Sequence, residues 1–292
     1  MTVPQITRSV LVGLIGAGIQ ASRSPALHMR EGAENGLSYR YDLIDTAVRG
    51  VGPEALPALL DEAEGRGFAG LNITHPFKQA ILPLLTSLSD DARAIGAVNT
   101  VLFRGGERIG HNTDWWGFAE AFRRGLPGAA LHHVVQLGAG GAGAATAHAA
   151  LSLGVRNLLL FDLESQRAEQ LAADLSERFP DRTVGAGRDL APSVASAGGL
   201  IHATPTGMKA HPGLPFPAHL LHRELWVAEI VYFPLETELL RSARAHGCRT
   251  LDGGGMAVFQ AVEAFRLFTG IVPDAERMLR HFHTMTAAGG PE

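Results

Sequence analysis

A glycine-rich segment in the middle of the chain has the composition and the setting of a phosphate-binding turn. Apolar residues 134–137 precede it, an alanine-rich stretch follows it, and a second apolar run at 158–161 ends on Asp162. Strand, glycine turn, helix and strand, with an acid about 20 residues beyond the glycines, form the fingerprint of a dinucleotide-binding unit. The residues predicted to contact the dinucleotide are Gly138, Ala139, Gly140, Gly141, Ala142 and Gly143.

Each glycine at the fingerprint spacing has a physical task. Gly138 permits the tight turn after the strand, and Gly140 lets a pyrophosphate approach the backbone because it has no side chain. Gly143 lets the following helix pack close to the strand. The amino terminus of that helix offers N–H groups and the positive end of its dipole to the phosphates.

Asp162 predicts which dinucleotide is bound. Its carboxylate is placed to accept hydrogen bonds from the ribose hydroxyls, and its charge repels a 2′-phosphate, which favours NAD over NADP. Arg167 lies five residues further on and offers a cation for a phosphate, so the sequence leaves NADP open as the less favoured cofactor.

A dinucleotide that exchanges hydride needs a second site, which orients a substrate and moves a proton. The first 114 residues contain hydroxyl, amide and charged side chains at the ends of predicted strands and helices. Such groups suit a polyhydroxylated substrate in a cleft between two domains. They are Ser22, Ser24, Asn72, Thr74, Lys78, Asn99, Asn112, Thr113 and Asp114.

Taken singly, several of these residues have an ordinary structural interpretation. Ser24 precedes a proline and is placed to cap a helix, and Asp114 is placed to cap the helix that begins at Trp115. Lys78 has the pattern of a solvated helix lysine. The histidines lack partner carboxylates at metal-ligand spacing, so no metal is predicted, and His111 is the one histidine left open.

Composition limits the class of protein. With 292 residues, 46% of them hydrophobic and 18% charged, the chain predicts two globular domains. A net charge of −4 without a basic run gives no electrostatic reason to expect binding to nucleic acid or to an acidic membrane surface. Cys248 is the single cysteine, which fits a cytoplasmic setting. The apolar run at 10–19 is too short to span a bilayer and lacks the pattern of a secretory leader.

Periodicity and turn residues predict an alternation of strands and helices after a polar lead-in at 1–9. The predicted strands are 11–16, 39–45, 68–74, 97–103, 134–137, 158–161, 199–203 and 226–231. The predicted helices are 24–35, 54–66, 77–85, 90–95, 115–124, 141–152, 166–179, 236–246, 257–269 and 274–285. This order predicts an α/β protein.

Seven segments in a fixed order carry a resemblance to a known family. They are SRSP (22–25), GLNITHPFK (70–78), GAVNTV (96–101), GHNTD (110–114), GAGGAG (138–143), ATPTGM (203–208) and FQAVEAF (259–265). With these segments the chain closely resembles the shikimate/quinate dehydrogenase family. The resemblance implies an α/β substrate-binding catalytic domain at 1–112, on which helices at 256–287 pack back. A Rossmann-type NAD-binding domain at 113–255 follows, with a cleft between the two.

The resemblance also implies roles for individual residues, carried over position by position. Lys78 and Asp114 are similar to the family's catalytic pair. The implied substrate contacts are Ser22, Ser24, Asn72, Thr74, Asn99, Tyr232 and Gln260. The implied cofactor contacts outside the glycine turn are Asp162, Arg167, Thr204, Met208, Val231 and Gly254.

The implied activity is reversible oxidation of the C3 hydroxyl of shikimate, and also of quinate, with hydride transfer to NAD. Members that use NADP have an Asn-Arg-Thr segment whose arginine binds the 2′-phosphate, whereas this chain has Asp162 and Glu164 there. The segment therefore resembles the branch of quinate/shikimate dehydrogenases that uses NAD. The two serines resemble enzymes that act on shikimate, and the oligomeric expectation is a monomer or homodimer.

Three alternatives stay open from the sequence. The chain could be a family member specialised for another substrate, such as an aminated analogue of shikimate. Methylene-tetrahydrofolate dehydrogenases share the two-domain layout, although residues 72–78 and 111–114 do not favour them. A dinucleotide-sensing module without catalysis would need neither Lys78 nor Asp114, and both residues are present.

Overall fold

Strands and helices alternate along residues 8–287, which are the residues that the computed structural model describes. Of the lead-in predicted at 1–9, residues 1–7 lie outside this range. The chain divides into two units, residues 8–113 with 260–287, and Asp114–Phe259. Each unit contains a six-stranded sheet, so the predicted α/β class is confirmed. Within the described range, no helix combines the length and the apolar composition that crossing a membrane requires.

Within residues 8–287, twelve strands form the two sheets. Those of the first unit are β1 (Ser9–Gly16), β2 (Ser38–Asp45), β3 (Gly70–Ile73), β4 (Ser87–Leu88), β5 (Thr100–Arg104) and β6 (Glu107–His111). Those of the second are β7 (His133–Leu137), β8 (Asn157–Phe161), β9 (Thr183–Ala186), β10 (Gly199–His202), β11 (Trp226–Glu229) and β12 (Arg249–Leu251).

In the described part of the chain, twelve α-helices connect and cover these strands. Their bounds are α1 (Ser24–Glu34), α2 (Thr46–Arg49), α3 (Leu56–Gly65), α4 (Phe77–Ala80), α5 (Asp90–Ile95), α6 (Asp114–Gly125), α7 (Gly141–Ser152), α8 (Ser165–Arg178), α9 (Leu190–Ala195), α10 (Glu238–Ala245), α11 (Gly253–Thr269) and α12 (Ala275–Ala287). Short 3₁₀ turns lie at Pro53–Ala55, Leu82–Leu84 and Ala218–Leu220.

The long predicted elements are confirmed, and the errors fall at short ones. The helix predicted at 77–85 is wrong, because α4 ends at Ala80 and Pro83, which has no backbone N–H, lies in a separate 3₁₀ turn. The predicted cap at Ser24 is also wrong, since the cap position is Arg23 and Ser24 is the first residue of α1. Asp114 likewise lies inside its helix, as the first residue of α6. Strands β4, β6, β9 and β12 were not predicted.

The first sheet is mixed, and both of its faces are covered. Its order is β2-β1-β3-β5-β6-β4, with β1 parallel to both neighbours and β5 antiparallel to both neighbours. Along β1, Val10, Val12 and Leu14 pack in one core cluster with Phe268 of α11, whereas Ile15 packs in another with residues of α3. This alternation is the period of two that a strand imposes on its side chains.

The second sheet is parallel throughout, in the order β12-β11-β10-β7-β8-β9. Numbered from β7 as the first strand, this is the doubly wound order 3-2-1-4-5-6 that binds dinucleotides. The strand order reverses between β7 and β10, so the crevice for a ligand lies beyond the carboxyl ends of these two strands. The glycine segment follows β7 directly.

Candidate functional site

A network of buried side chains joins three strands of the first unit. Tyr41 Oη donates to Asn72 Oδ1 at 2.8 Å, and Asn72 Nδ2 donates to Thr100 Oγ1 at 3.0 Å. Asn99 Nδ2 donates to Thr113 Oγ1 at 2.9 Å, and its Oδ1 accepts from the Thr113 amide at 2.7 Å. Thr100 Oγ1 donates to Asn99 Oδ1 at 3.1 Å and closes the chain of bonds. The network therefore places the predicted Asn72 and Asn99 side by side.

The two predicted catalytic residues fall in different units. Lys78 is half-buried on α4, and its carbonyl accepts a hydrogen bond from the Val98 amide at 2.8 Å, one residue before Asn99. Asp114 is buried, with 6% of its surface exposed, and it directly follows Thr113 of the network. A carboxylate in the first turn of α6 is favourable for the helix dipole.

The other predicted substrate residues of the first unit lie at the ends of elements. Ser22 Oγ accepts from the Ser24 amide at 3.3 Å, and both serines are half-buried. Thr74 follows β3 and donates its amide to the Ile15 carbonyl at 2.9 Å. Gln260 lies half-buried on α11.

Asp45, which sequence reasoning missed, holds the loop that leads to Ser22. Its carboxylate accepts from the amides of Gly18 and Ile19 and from the Gln20 side chain, each at 2.9 Å, and from the Ala47 amide at 3.0 Å. Burial alone would raise the pKa of Asp45, but these hydrogen bonds lower it below its ordinary value of 3.8. No local pattern pointed to this role, because two donors lie more than 25 residues away.

The glycine turn of the second unit has the conformation that its sequence predicts. Gly138 has a φ of 101°, which L side chains rarely adopt, and its amide donates to the Phe161 carbonyl at 2.7 Å. A Cβ on Gly143 would overlap the Gly138 carbonyl oxygen. Both glycines are therefore required by the fold itself.

Gln136 braces this turn from inside the sheet, although the sequence suggested only an apolar run. Its Nε2 donates to the carbonyls of Gly138 at 2.9 Å and Gly143 at 2.8 Å, and its Oε1 accepts from Thr146. The residue has no exposed surface. The signal that could have found it is a polar side chain in the middle of a buried strand, which needs partners.

Gly140 differs from the other two glycines, and the difference suits a ligand. A Cβ there would meet nothing within 4 Å, so the protein's own packing does not require glycine. Gly140 is also the cap residue of α7, and no side chain caps the helix. Open space beside uncapped backbone N–H groups is the arrangement that a pyrophosphate occupies, so these residues fit the predicted dinucleotide.

Asp162 connects the turn to the end of β8. Its Oδ2 accepts from the Ala139 amide at 2.8 Å and its Oδ1 from the Glu164 amide at 3.0 Å. Arg167 is paired with Glu164, with 2.8 Å between Nη2 and Oε1. The one cation that the sequence offered for a 2′-phosphate is thus engaged by a neighbouring acid.

The predicted cofactor residues beyond β10 and β11, and the predicted substrate residue Tyr232, lie in two settings. Thr204 is half-buried and Val231 is buried, whereas Met208 and Tyr232 are about two-fifths exposed. Gly254 lies in the first turn of α11, and its amide donates to Asp252 Oδ1 at 2.9 Å.

Histidines do not form a metal site in the part of the chain that the structure describes, where no cluster of three or more His, Cys, Asp or Glu side chains is suited to a metal ion. His111 is half-buried at the end of β6. Burial lowers its pKa, the nearby Arg104 and Arg266 lower it further, and Glu263 opposes them.

Comparison with protein families gives matches at both ends of the chain. Residues 14–101 match the shikimate dehydrogenase substrate binding domain, and residues 253–281 match the shikimate 5′-dehydrogenase C-terminal domain.

Individual relatives cover nearly the whole chain. A shikimate dehydrogenase (NADP(+)) of Streptomyces avermitilis is 60% identical over 93% of this chain and 94% of its own length. A quinate/shikimate dehydrogenase (NAD(+)) of Corynebacterium glutamicum is 49% identical over 94% of this chain and 98% of its own. The solved quinate dehydrogenase of Corynebacterium glutamicum in complex with NAD has a TM-score of 0.88 and 48% identity. That comparison covers 95% of this chain and all of the other.

The four hydrogen bonds to Asp45 predict a stability effect that depends on pH. Asp45→Asn places an amide N–H₂ against two donors, so the free energy of unfolding at pH 7 should fall by about 2–3 kcal/mol. The lowered pKa stabilises the native state fully above the ordinary carboxyl value, and this contribution is lost as the pH falls through the lowered pKa, so the deficit should persist at pH 5 and shrink below about pH 4. Urea unfolding across this range measures it, and a deficit unchanged at pH 3 would contradict the charge-based explanation.

The surroundings of Gly140 and Gly143 predict opposite effects for the same substitution. Gly140→Ala should leave the thermal midpoint unchanged but weaken NADH binding about five- to hundredfold, because its Cβ enters the phosphate space. Gly143→Ala should lower the free energy of unfolding by about 1–3 kcal/mol, because its Cβ overlaps a carbonyl. Thermal unfolding and NADH fluorescence titration separate the two effects. Wild-type affinity in the Gly140→Ala variant would rule out this phosphate site.

Proposed function

The chain belongs to the shikimate dehydrogenase family, and from that premise we propose that it oxidises the C3 hydroxyl of shikimate, and of quinate, reversibly to the ketone. The observation that carries the proposal is the pairing of two features in one chain. An uncapped glycine turn lies at the switch point of a parallel sheet, and a buried Asn–Thr network lies in the other unit. A sensor of dinucleotides would need only the first feature.

The two units have separate tasks in this proposal. Residues 8–113 with 260–287 supply most of the proposed substrate contacts, and Asp114–Phe259 supply those of the dinucleotide. Ser22 and Ser24 bind the substrate carboxylate, while Asn72, Thr74 and Asn99 bind ring hydroxyls, with Tyr232 and Gln260 completing the contacts. Other buried side chains hold Asn72 and Asn99 in place. The entropy cost of fixing these two side chains therefore falls on folding and not on substrate binding.

Lys78 moves the proton in the proposed reaction. When bound, the nicotinamide supplies the hydride acceptor. Lys78 Nζ takes the proton of the C3 hydroxyl during oxidation and returns it during reduction, while Asp114 orients Lys78 and the neighbouring hydroxyl. Of the 25 lysine and arginine residues in the chain, only Lys78 and Lys209 are lysines. An arginine cannot give up its proton, so a lysine in a chain that otherwise uses arginine favours acid–base work.

We propose NAD as the preferred cofactor, with NADP as the poorer one. Asp162 lies where ribose hydroxyls are bound in this fold, and Glu164 adds a second negative charge. Arg167 is already paired with Glu164. A 2′-phosphate would therefore meet a net negative charge, because Arg167 balances only one of the two carboxylates. Relatives named for NADP and for NAD both match this chain, so the proposal depends on these local charges.

Initial rates of nicotinamide reduction, measured for shikimate and quinate with each of NAD and NADP, test the function. We expect turnover of shikimate with NAD, turnover of quinate at a comparable or lower rate, and a kcat/KM with NADP at least about fivefold lower because of like-charge repulsion. NADP preference would overturn the cofactor assignment. Absence of turnover in all four combinations would overturn the substrate assignment.

The acid–base role of Lys78 predicts a selective loss. Lys78→Arg keeps the positive charge but removes a group that can release a proton, so kcat should fall about a hundredfold to ten-thousandfold. Substrate binding by calorimetry should persist. The matched control is Lys209→Arg, the same change at the other lysine of the chain, which should leave kcat unchanged. Retention of most of the kcat in the Lys78→Arg variant would eliminate the proposed role.

A further inference from the structure

A buried histidine–glutamate pair lies at the carboxyl ends of β10 and β11. His202 and Glu229 are the last residues of these strands and register partners of one another. Neither side chain has exposed surface, and His202 Nδ1 lies 2.9 Å from both carboxylate oxygens of Glu229. Glu229 also accepts from the Val231 amide at 3.0 Å and from Thr237 Oγ1 at 3.2 Å. Neither His202 nor Glu229 was among the residues that the sequence predicted.

The hydrogen bonds of Glu229 determine the tautomer of His202. An ionised carboxylate only accepts, so His202 Nδ1 carries the proton that it donates to Glu229. In the neutral ring, Nε2 is then an acceptor. Thr204 Oγ1 lies 2.5 Å from this Nε2 and is therefore the donor of that bond. The Thr204 oxygen accepts from the Thr206 amide at 3.3 Å and keeps acceptor capacity for a further donor.

Thr204 lies against the glycine turn. A Cβ on Gly138 would come within 3.1 Å of Thr204 Cγ2 and 2.5 Å of the Ala203 carbonyl oxygen. The half of the sheet from β7 to β9 is followed at β8 by Asp162, at the position where this fold would bind the ribose of the adenosine. The half from β10 to β12 serves the other nucleotide in a doubly wound fold. Thr204 therefore borders the nicotinamide half of the crevice.

We propose that Glu229 and His202 are positioning residues that fix the Thr204 hydroxyl oxygen as an acceptor. It takes a hydrogen bond from an O–H or N–H donor of the nicotinamide riboside, and not from the pyrophosphate, which has only acceptors. The inference rests on the proposed function in that the ligand is a nicotinamide dinucleotide. It adds a chain of hydrogen bonds that leads from the buried Glu229 carboxylate to the cofactor. A substitution at Glu229 therefore alters cofactor binding although Glu229 does not contact the cofactor.

A variant that inverts the tautomer tests the proposal. In Glu229→Gln the amide oxygen still accepts from Val231 or Thr237, while the amide N–H₂ donates to His202 Nδ1 and moves the ring proton to Nε2. Thr204 then accepts from His202 and turns its own O–H outward. We expect NADH affinity to fall about tenfold in this variant and in Thr204→Val, and Thr204→Ser to keep it. Nitrogen NMR of His202 should report the change of tautomer.

Two comparisons separate positioning from general damage. ADP lacks the nicotinamide riboside, so its affinity should be unchanged in Glu229→Gln, whereas a distorted glycine turn would weaken both ligands. The double variant Glu229→Gln/Thr204→Val should bind NADH no more weakly than Thr204→Val alone, because Glu229 acts only through that hydroxyl. Additive losses, or a parallel loss of ADP affinity, would overturn the proposal. NADH binding without oxidation of shikimate would overturn only the proposed substrate.

Discussion

The second unit depends on hydrogen-bond donors for the buried carbonyl and carboxylate groups at the ends of its parallel strands. The turn after β7 buries the carbonyls of Gly138 and Gly143, and a buried acceptor without a donor costs about 1–3 kcal/mol. Gln136 donates to both carbonyls from within the sheet, and Thr146 Oγ1 also donates to the Gly143 carbonyl. Asp162 in turn engages the Ala139 amide, which fixes the turn against β8. With these groups satisfied, the N–H groups at the start of α7 are left for phosphate oxygens.

In the first unit, amide and hydroxyl side chains supply the partners that the buried polar groups need. Asn72, Thr100, Asn99 and Thr113 form one chain of hydrogen bonds. Asp45 holds the loop before α1 with three hydrogen bonds and accepts a fourth from the Ala47 amide of α2. A polar network is stabilising only if its members are satisfied, because the same low dielectric makes an unpaired member costly. Such a network also holds its outer atoms in place. Preorganisation of this kind lowers the entropy lost when a small polar substrate binds.

The sequence was sufficient where the relevant residues are close together in the chain. Residues 138–143 and Asp162 form one βαβ unit, so their spacing predicted both the turn and the acid at its end. His202 and Glu229 are 27 residues apart, and their pairing depends on strand order, which local patterns do not give. The role of Gln136 was not predicted for a related reason, since its partners come close to it only when the turn is folded. The helix predicted across Pro83 is wrong, because proline has no backbone N–H with which to continue the helical hydrogen bonds.

Cofactor choice shows why overall identity and local chemistry need not agree. The chain is 60% identical to an enzyme named for NADP. In the proposed preference for NAD, the deciding position is the end of β8, where NADP would place its additional phosphate. Two unit charges 4 Å apart interact by about 1 kcal/mol in water and about 4 kcal/mol near a protein surface, which spans roughly five- to thousandfold in affinity. Asp162 and Glu164 carry two negative charges there, and Arg167 balances one of them. The proposed preference for NAD depends on this local net negative charge and not on the identity of the remaining chain.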